Sequence, residues 1–179
     1  MEGDHKMFER RTGIVTTKGS PLTLIGKEIK IGEQGSDFKV ITNDMKSYNL
    51  QDAGEKVKII SVVPSLDTGV CELQTLNFNE AAAELGDVVI LTISVDLPFA
   101  QKRFCGAKGI DKVITLSDHK ELSFGLNYGF VIEELRLLSR GIVILDGNNI
   151  VRYVEYVGDI SEHPNYDMAI EEVKKLTKS

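Results

Sequence analysis

Only two of the 179 residues are cysteine, Cys71 and Cys105, and they form no CxxC pair. A structural zinc site needs four ligands, and the three histidines, His5, His119 and His163, stand too far apart to supply a metal-ligand spacing. Nothing in the chain points to a metal or a cofactor. There is no long basic run, and the formal net charge is −6. Nucleic acid and anionic membrane are therefore poor partners. No apolar stretch approaches membrane-spanning length, and the polar start Met1-Glu2-Gly3-Asp4-His5-Lys6 lacks the apolar core of a signal peptide. Internal repeats and low-complexity tracts are also missing. What is present is globular composition, 42% hydrophobic and 27% charged, in a length that suits one domain. We expect a flexible polar tail over residues 1–12 and a single domain over 13–179, in the cytoplasm. A permanent disulfide is unusual in that compartment, so the two cysteines are either inert core residues or working thiols.

The patterning predicts an opening β-hairpin, Gly13–Thr17 and Leu22–Ile25, across the turn residues Lys18-Gly19-Ser20-Pro21. Phe38–Ile41 alternates as a half-buried strand. Lys56–Val63 passes from alternation into a continuous apolar run, the mark of a central strand covered on both faces, and Pro64 ends it. Val70–Leu85 has helical spacing, with Val70, Leu73, Leu76, Asn77, Ala81 and Leu85 on one face and Gly86 closing the helix. A second buried strand, Asp87–Ser94, leads to Pro98, which suits the first turn of a helix carrying Phe99 to Cys105. A shorter strand at Lys112–Leu116 precedes a loop-rich stretch, and Ile132–Leu138 is expected to form a short helix. Gly141–Asp146 and Ile150–Val157 make a hairpin across Gly147-Asn148-Asn149. The closing amphipathic helix, Tyr166–Leu176, turns Met168, Ile170, Val173 and Leu176 inward. Alternating βαβ units followed by a hairpin and a helix give an α/β fold, a mixed central sheet with helices on both faces.

The chemistry gathers at the cysteines. Cys71 starts a helix directly after a buried strand, where free N–H groups and the helix dipole favour a thiolate. Thr68 stands three residues upstream, within hydrogen-bonding reach of the sulfur or of a bound oxygen. Pro64 stiffens the loop and shields it from water. The competing reading makes Cys71 a small buried hydrophobe, as many free cysteines are. Cys105 beside Phe104 fits packing still better, although Gly106 and Gly109 would let its helix unwind. Arg140, at the entrance of a buried strand, either pairs with a carboxylate or holds a thiolate and polarises a peroxide oxygen. Arg103 is a rival cation. Asp67 suits a helix cap, and Phe99, Phe104, Phe124 and Phe130 suit the core.

These segments resemble the thiol peroxidase family, the atypical two-cysteine peroxiredoxins of bacteria. The matching motifs are Pro64-Ser65-Leu66-Asp67-Thr68-Gly69-Val70-Cys71, and Asp96-Leu97-Pro98-Phe99-Ala100-Gln101 with Arg103-Phe104-Cys105. Leu137-Leu138-Ser139-Arg140 before Ile142–Asp146, and His163-Pro164-Asn165-Tyr166 before the last helix, complete the pattern. The resemblance spans residues 13–177 and includes the separation of the two cysteines. Lys108, where an acidic residue is expected, and Gly141, where a larger one is common, depart from it, and Gly141 could loosen the placement of Arg140. The resemblance implies a thioredoxin-like fold with an N-terminal β-hairpin extension. It implies reduction of hydrogen peroxide and alkyl hydroperoxides, with Cys71 peroxidatic and Cys105 resolving in the same chain. Thr68, Arg140 and Pro64 match the family's active-site residues, and a homodimer reduced by thioredoxin is implied. Two other readings stay open. A thiol–disulfide oxidoreductase is disfavoured by the absence of CxxC, and a non-enzymatic binding domain on the same fold would keep both thiols through peroxide treatment.

Overall fold

A computed structural model describes residues 8–177. Its centre is a seven-stranded mixed sheet built from β3 (Lys39–Ile41), β4 (Ser47–Asn49), β5 (Val57–Val62), β6 (Val88–Ser94), β7 (Ile114–Ser117), β10 (Gly141–Leu145) and β11 (Val151–Tyr156), in the order β11-β10-β5-β6-β7-β3-β4. Strands β5, β6 and β7 are parallel, and both flanks are antiparallel. The helices are α1 (Gly69–Leu85), α2 (Pro98–Lys108), α3 (Ser123–Tyr128) and α4 (Tyr166–Thr177). A smaller sheet, β1 (Arg10–Thr17), β2 (Ser20–Ile25), β8 (Val131–Ile132) and β9 (Leu137–Leu138), lies in sequence order. This is the thioredoxin-like arrangement implied by the resemblance, with the hairpin added.

Strand β5 is buried along its whole length because alternate residues enter different cores. Val57 and Ile59 join Ile90, Ile142 and Ile144 beneath α1 and α4, while Ile60 and Val62 join Leu91, Ile93 and Val143 beneath α3 and the smaller sheet. The second core is rich in rings: Phe124 stacks on Tyr128 at 4.7 Å, and Phe130 lies 4.6 Å from Tyr156. The turn between β1 and β2 places Lys18 and Gly19 at φ 47° and 85°, the left-handed conformation of a two-residue hairpin.

Several expectations are corrected. Ile132–Leu138 is not a helix: β8 and β9 form a hairpin around residues 133–136, with Arg136 at φ 55°. The apolar spacing there mimics a helical period, but pairing of β8 with β2 and a bond donated by the Thr23 N–H to the Glu134 carboxylate decide for strand. The short helix lies earlier, at α3, inside the stretch read as loop. In α1 the buried stripe is Cys71, Gln74, Thr75 and Phe78, whereas Leu73 is 50% exposed. Polar Gln74 and Thr75 tolerate burial because both are hydrogen-bonded, to Ser61 Oγ and the Cys71 carbonyl. Finally, Met168 in α4 and Phe99 in α2 face outward, so neither is core; in the first turn of α2 it is Pro98 and Gln101 that are buried. Of the expected tail, residues 1–7 lie outside the described residues, and Arg10 and Arg11 pair with Ile25 and Leu24 in β1.

Candidate active site

Strand β5 stops where Pro64 offers no N–H; the last ladder bond there runs from the Val63 N–H to the Ile93 carbonyl at 3.1 Å. The loop that follows is tied down by Asp96 at the end of β6. Its carboxylate accepts from Ser65 Oγ (2.7 Å), the Leu66 N–H (2.7 Å) and Ser94 Oγ (2.8 Å). Thr68 then caps α1: its Oγ1 accepts the Cys71 N–H at 3.4 Å and donates to the Ser65 carbonyl at 3.2 Å. Asp67 is exposed and is not the cap. The result places Cys71 in the first helical turn, fully buried among Val63, Leu66 and Phe104.

One cation reaches this sulfur. Arg140, 2% exposed, donates from Nη2 to Cys71 Sγ at 3.1 Å. Its other donors are fixed: Nη1 to Gln74 Oε1 at 2.9 Å and Nε to the Ile160 carbonyl at 2.9 Å. Gln74 is oriented in turn by a 2.8 Å bond from Nε2 to Ser61 Oγ. Among the described residues, no carboxylate pairs with Arg140. A buried guanidinium without an anion costs several kcal/mol. The Cys71 sulfur is the group that the fold sets against this guanidinium. Arg103 is exposed on α2. Gly141 does not loosen Arg140. A Cβ there would strike the Glu155 carbonyl oxygen and the Phe130 ring, so glycine lets β10 pack closely beside the arginine.

A cavity of about 420 Å³ leads toward Arg140 and is walled by Pro64, Thr68, Gly69 and Val70 on one side and by Leu137, Ile160 and Ser161 on the other. The tip of the β1–β2 hairpin, Thr17 and Lys18, completes its mouth. Asp159 fastens that tip: its carboxylate accepts from Ser161 Oγ (2.5 Å), Thr16 Oγ1 (2.7 Å), the Ser161 N–H (2.9 Å) and the Gly19 N–H (3.1 Å), which holds it below the usual carboxylate range. The fold thus gathers Cys71, Thr68, Arg140 and Pro64. Cys105 stands apart from them. It lies in α2 with Sγ 3.4 Å from Thr115 Oγ1, and Phe104, its neighbour, is the α2 residue that packs on the Cys71 cluster. Both thiols are free. Gln74, Asp96 and the hairpin tip were not singled out in the sequence. Gln74 had a signal, since a residue three positions after Cys71 shares its helix face.

Comparison with known proteins agrees with this geometry. Residues 30–170 match the Redoxin family model. The thiol peroxidase of Bacillus subtilis (strain 168) is 57% identical over 164 residues, covering 92% of this chain and 98% of that protein. The thiol peroxidase of Halalkalibacterium halodurans is 53% identical over 160 residues, covering 89% and 96%. Among solved structures, a peroxiredoxin-like protein from Aquifex aeolicus superposes with a TM-score of 0.86 at 40% identity, covering 94% of this chain and 98% of that one. A thiol peroxidase from Chromobacterium violaceum has a TM-score of 0.81 at 20% identity, covering 90% and 95%, a likeness of fold. With a buried arginine bonded to a helix-start thiol and relatives this similar over nearly their whole length, the chain belongs to the redoxin family and, within it, to the thiol peroxidases.

Proposed function

We propose that this thiol-dependent peroxidase reduces hydrogen peroxide and alkyl hydroperoxides with Cys71 as the peroxidatic thiolate and Cys105 as the resolving thiol of the same chain. The observation that carries the reading is the 3.1 Å bond to Cys71 Sγ from a buried Arg140 that has no carboxylate partner among the described residues. The thiolate attacks the terminal peroxide oxygen: an S–O bond forms, the O–O bond breaks, and the leaving oxygen departs as water or an alcohol after taking up a proton. Arg140, Thr68 and the N–H groups of the first turn of α1 hold the two oxygens in line and stabilise the charge that develops on the leaving one. Pro64 keeps the loop rigid and dry. The apolar wall of Val70, Leu137 and Ile160 suits the organic part of an alkyl hydroperoxide.

Cys105 then attacks the sulfenic sulfur. The S–S bond forms, the S–O bond breaks, and the hydroxyl leaves as water with the proton from Cys105. A disulfide needs Cα atoms within about 7 Å, and each sulfur now has a different partner, so α2 must open locally to deliver Cys105. Its C-terminal bonds, from the Gly109 and Ile110 N–H groups to the Cys105 carbonyl, are the ones to break. A thioredoxin-type dithiol reduces the disulfide by exchange. A homodimer and a cytoplasmic setting complete the reading; no helix among the described residues is long and apolar enough to cross a membrane.

Stopped-flow consumption of hydrogen peroxide and an alkyl hydroperoxide, with a thioredoxin system present, tests the assignment. Cys71→Ser abolishes consumption, and Cys105→Ser performs one rapid turnover and then stalls. Substantial turnover by Cys71→Ser, or normal thioredoxin-coupled cycling by Cys105→Ser, refutes the respective role.

A further inference from the structure

Cys105 occupies a place of its own. A cavity of about 240 Å³, walled by Asn43, Asp44, Cys105, Asp111, Val113 and Thr115 among others, reaches it without sharing a residue with the peroxide pocket. Inside, three side chains form a chain of hydrogen bonds. Thr115, buried in β7, donates its hydroxyl proton to Asn43 Oδ1 at 3.0 Å. Asn43 belongs to the turn between β3 and β4, 72 residues away in sequence. A threonine hydroxyl has one proton and two acceptor lone pairs. With that proton directed at Asn43, the 3.4 Å contact between Thr115 Oγ1 and Cys105 Sγ has one remaining polarity: the sulfur donates. The charged groups on the cavity wall, Asp44 and Asp111, are both carboxylates, and Asp44 pairs with Lys102 of α2 at 3.6 Å.

We propose that Thr115, set by Asn43, is a positioning residue for the resolving thiol: its hydroxyl oxygen accepts the Cys105 S–H and holds that sulfur as a proton-bearing, poorly nucleophilic group until α2 opens. The inference rests on Cys105 being the resolving thiol. Its consequence is an order of events. In the closed, reduced fold Cys71 is the sulfur set up for attack by Arg140, and Cys105 is kept from reacting with peroxide or a foreign disulfide. Opening of α2 breaks the S–H···O bond, and so couples delivery of Cys105 to its release for attack.

The test needs no peroxide at first. In a Cys71→Ser background Cys105 is the single thiol, and its alkylation by monobromobimane at neutral pH reads its nucleophilicity. Thr115→Val keeps the volume and removes the oxygen; it raises the alkylation rate between about twofold and about tenfold, the factor carried by one ordinary hydrogen bond. Thr115→Ser keeps the hydroxyl and removes the methyl, and it returns the rate to the parental value. Asn43→Ala, which touches no sulfur, frees the Thr115 proton to turn toward Cys105 and also raises the rate. With both cysteines present, Thr115→Val forms the intrachain disulfide faster by a similar factor after one equivalent of peroxide. An unchanged rate in Thr115→Val, a Thr115→Ser protein as fast as Thr115→Val (packing, not the hydroxyl), or slower alkylation in Asn43→Ala (a proton running the other way) each overturns the proposal. Failure of Cys105 as the resolving thiol reads out separately, as normal thioredoxin cycling by Cys105→Ser.

Discussion

At the scale of single residues the site turns on how a guanidinium is held. Arg140 has each kind of its nitrogen engaged, by Cys71, Gln74 and Ile160, so it has little freedom left when peroxide arrives. Preorganised donors of this kind need no rearrangement at the moment of reaction. Arg140→Lys keeps the charge but loses the fork. We expect its second-order rate constant for peroxide to fall between about tenfold and about a hundredfold, the equivalent of one charge-assisted hydrogen bond. Gln74→Leu leaves Arg140 in place with Nη1 unpartnered. The expected outcome is a smaller loss of rate, with a destabilisation of about 1–3 kcal/mol read by urea denaturation, because a buried donor then lacks its acceptor. A Gln74→Leu protein with wild-type rate and stability would show that Ile160 and Cys71 suffice to seat the arginine.

At the scale of elements, the two thiol-bearing helices are joined by an ion pair. Lys108 at the end of α2 lies 2.9 Å from Glu72 in the first turn of α1. Both side chains are partly exposed, so the pair contributes about 0–1 kcal/mol and weakens with salt. That is small for the fold, yet it lies on the helix end whose opening the proposed resolving step requires. Lys108→Glu sets two carboxylates together; disulfide formation after one equivalent of peroxide should speed up by about two- to fivefold at low salt and converge on the parental rate near 0.5 M salt, where screening is nearly complete. Quenched-flow sampling with thiol counting measures it, and equal rates at low salt would exclude the pair from gating. The hairpin of β1 and β2 also acts as an element. Its tip reaches the pocket because Asp159 binds Thr16 and Gly19, so the extension shapes the mouth of the cavity beside Arg140.

At the scale of the whole molecule, the two sheets meet over Asp118. This residue, 1% exposed, follows β7 and caps α3 from a distance, its carboxylate accepting the Phe124 N–H at 3.1 Å and the Gly125 N–H at 2.8 Å. Burial pushes its carboxyl up to about 7, against the pull of those two N–H groups. A carboxyl raised above its unfolded value of 3.8 binds its proton more tightly in the folded state. Its contribution to stability is therefore complete below that unfolded value and lost as pH rises through about 7. Between those limits the slope approaches about 1.4 kcal/mol per pH unit. Urea denaturation at pH 5, 6, 7 and 8 should show stability falling across this range, and Asp118→Asn should remove that part of the slope. Parallel pH profiles for the two proteins would rule Asp118 out as the titrating group.

Local chemistry was enough for much of this. Pro64 ending a buried run, Thr68 ahead of Cys71, Pro98 opening α2 and the Gly147-Asn148-Asn149 turn are all decided within a few residues of chain, where sterics and capping operate. So both thiols could be placed on their helices, and the resemblance carried the rest of the motif. Short-range rules failed where long-range pairing outweighs them. The two-residue strands β8 and β9 exist only because β2 lies beside β8 and extends their hairpin into a sheet, and the buried face of α1 follows the hydrogen bonds of Gln74 and Thr75 rather than apolar spacing. Which arginine meets Cys71 was settled by the tertiary structure, through a contact 69 residues apart in sequence. The partner of Cys105 and the hairpin tip at the pocket mouth were settled the same way. Composition and local order determine which groups are available; only the packed sheet determines which of them touch, because that depends on the directions in which distant strands deliver their ends.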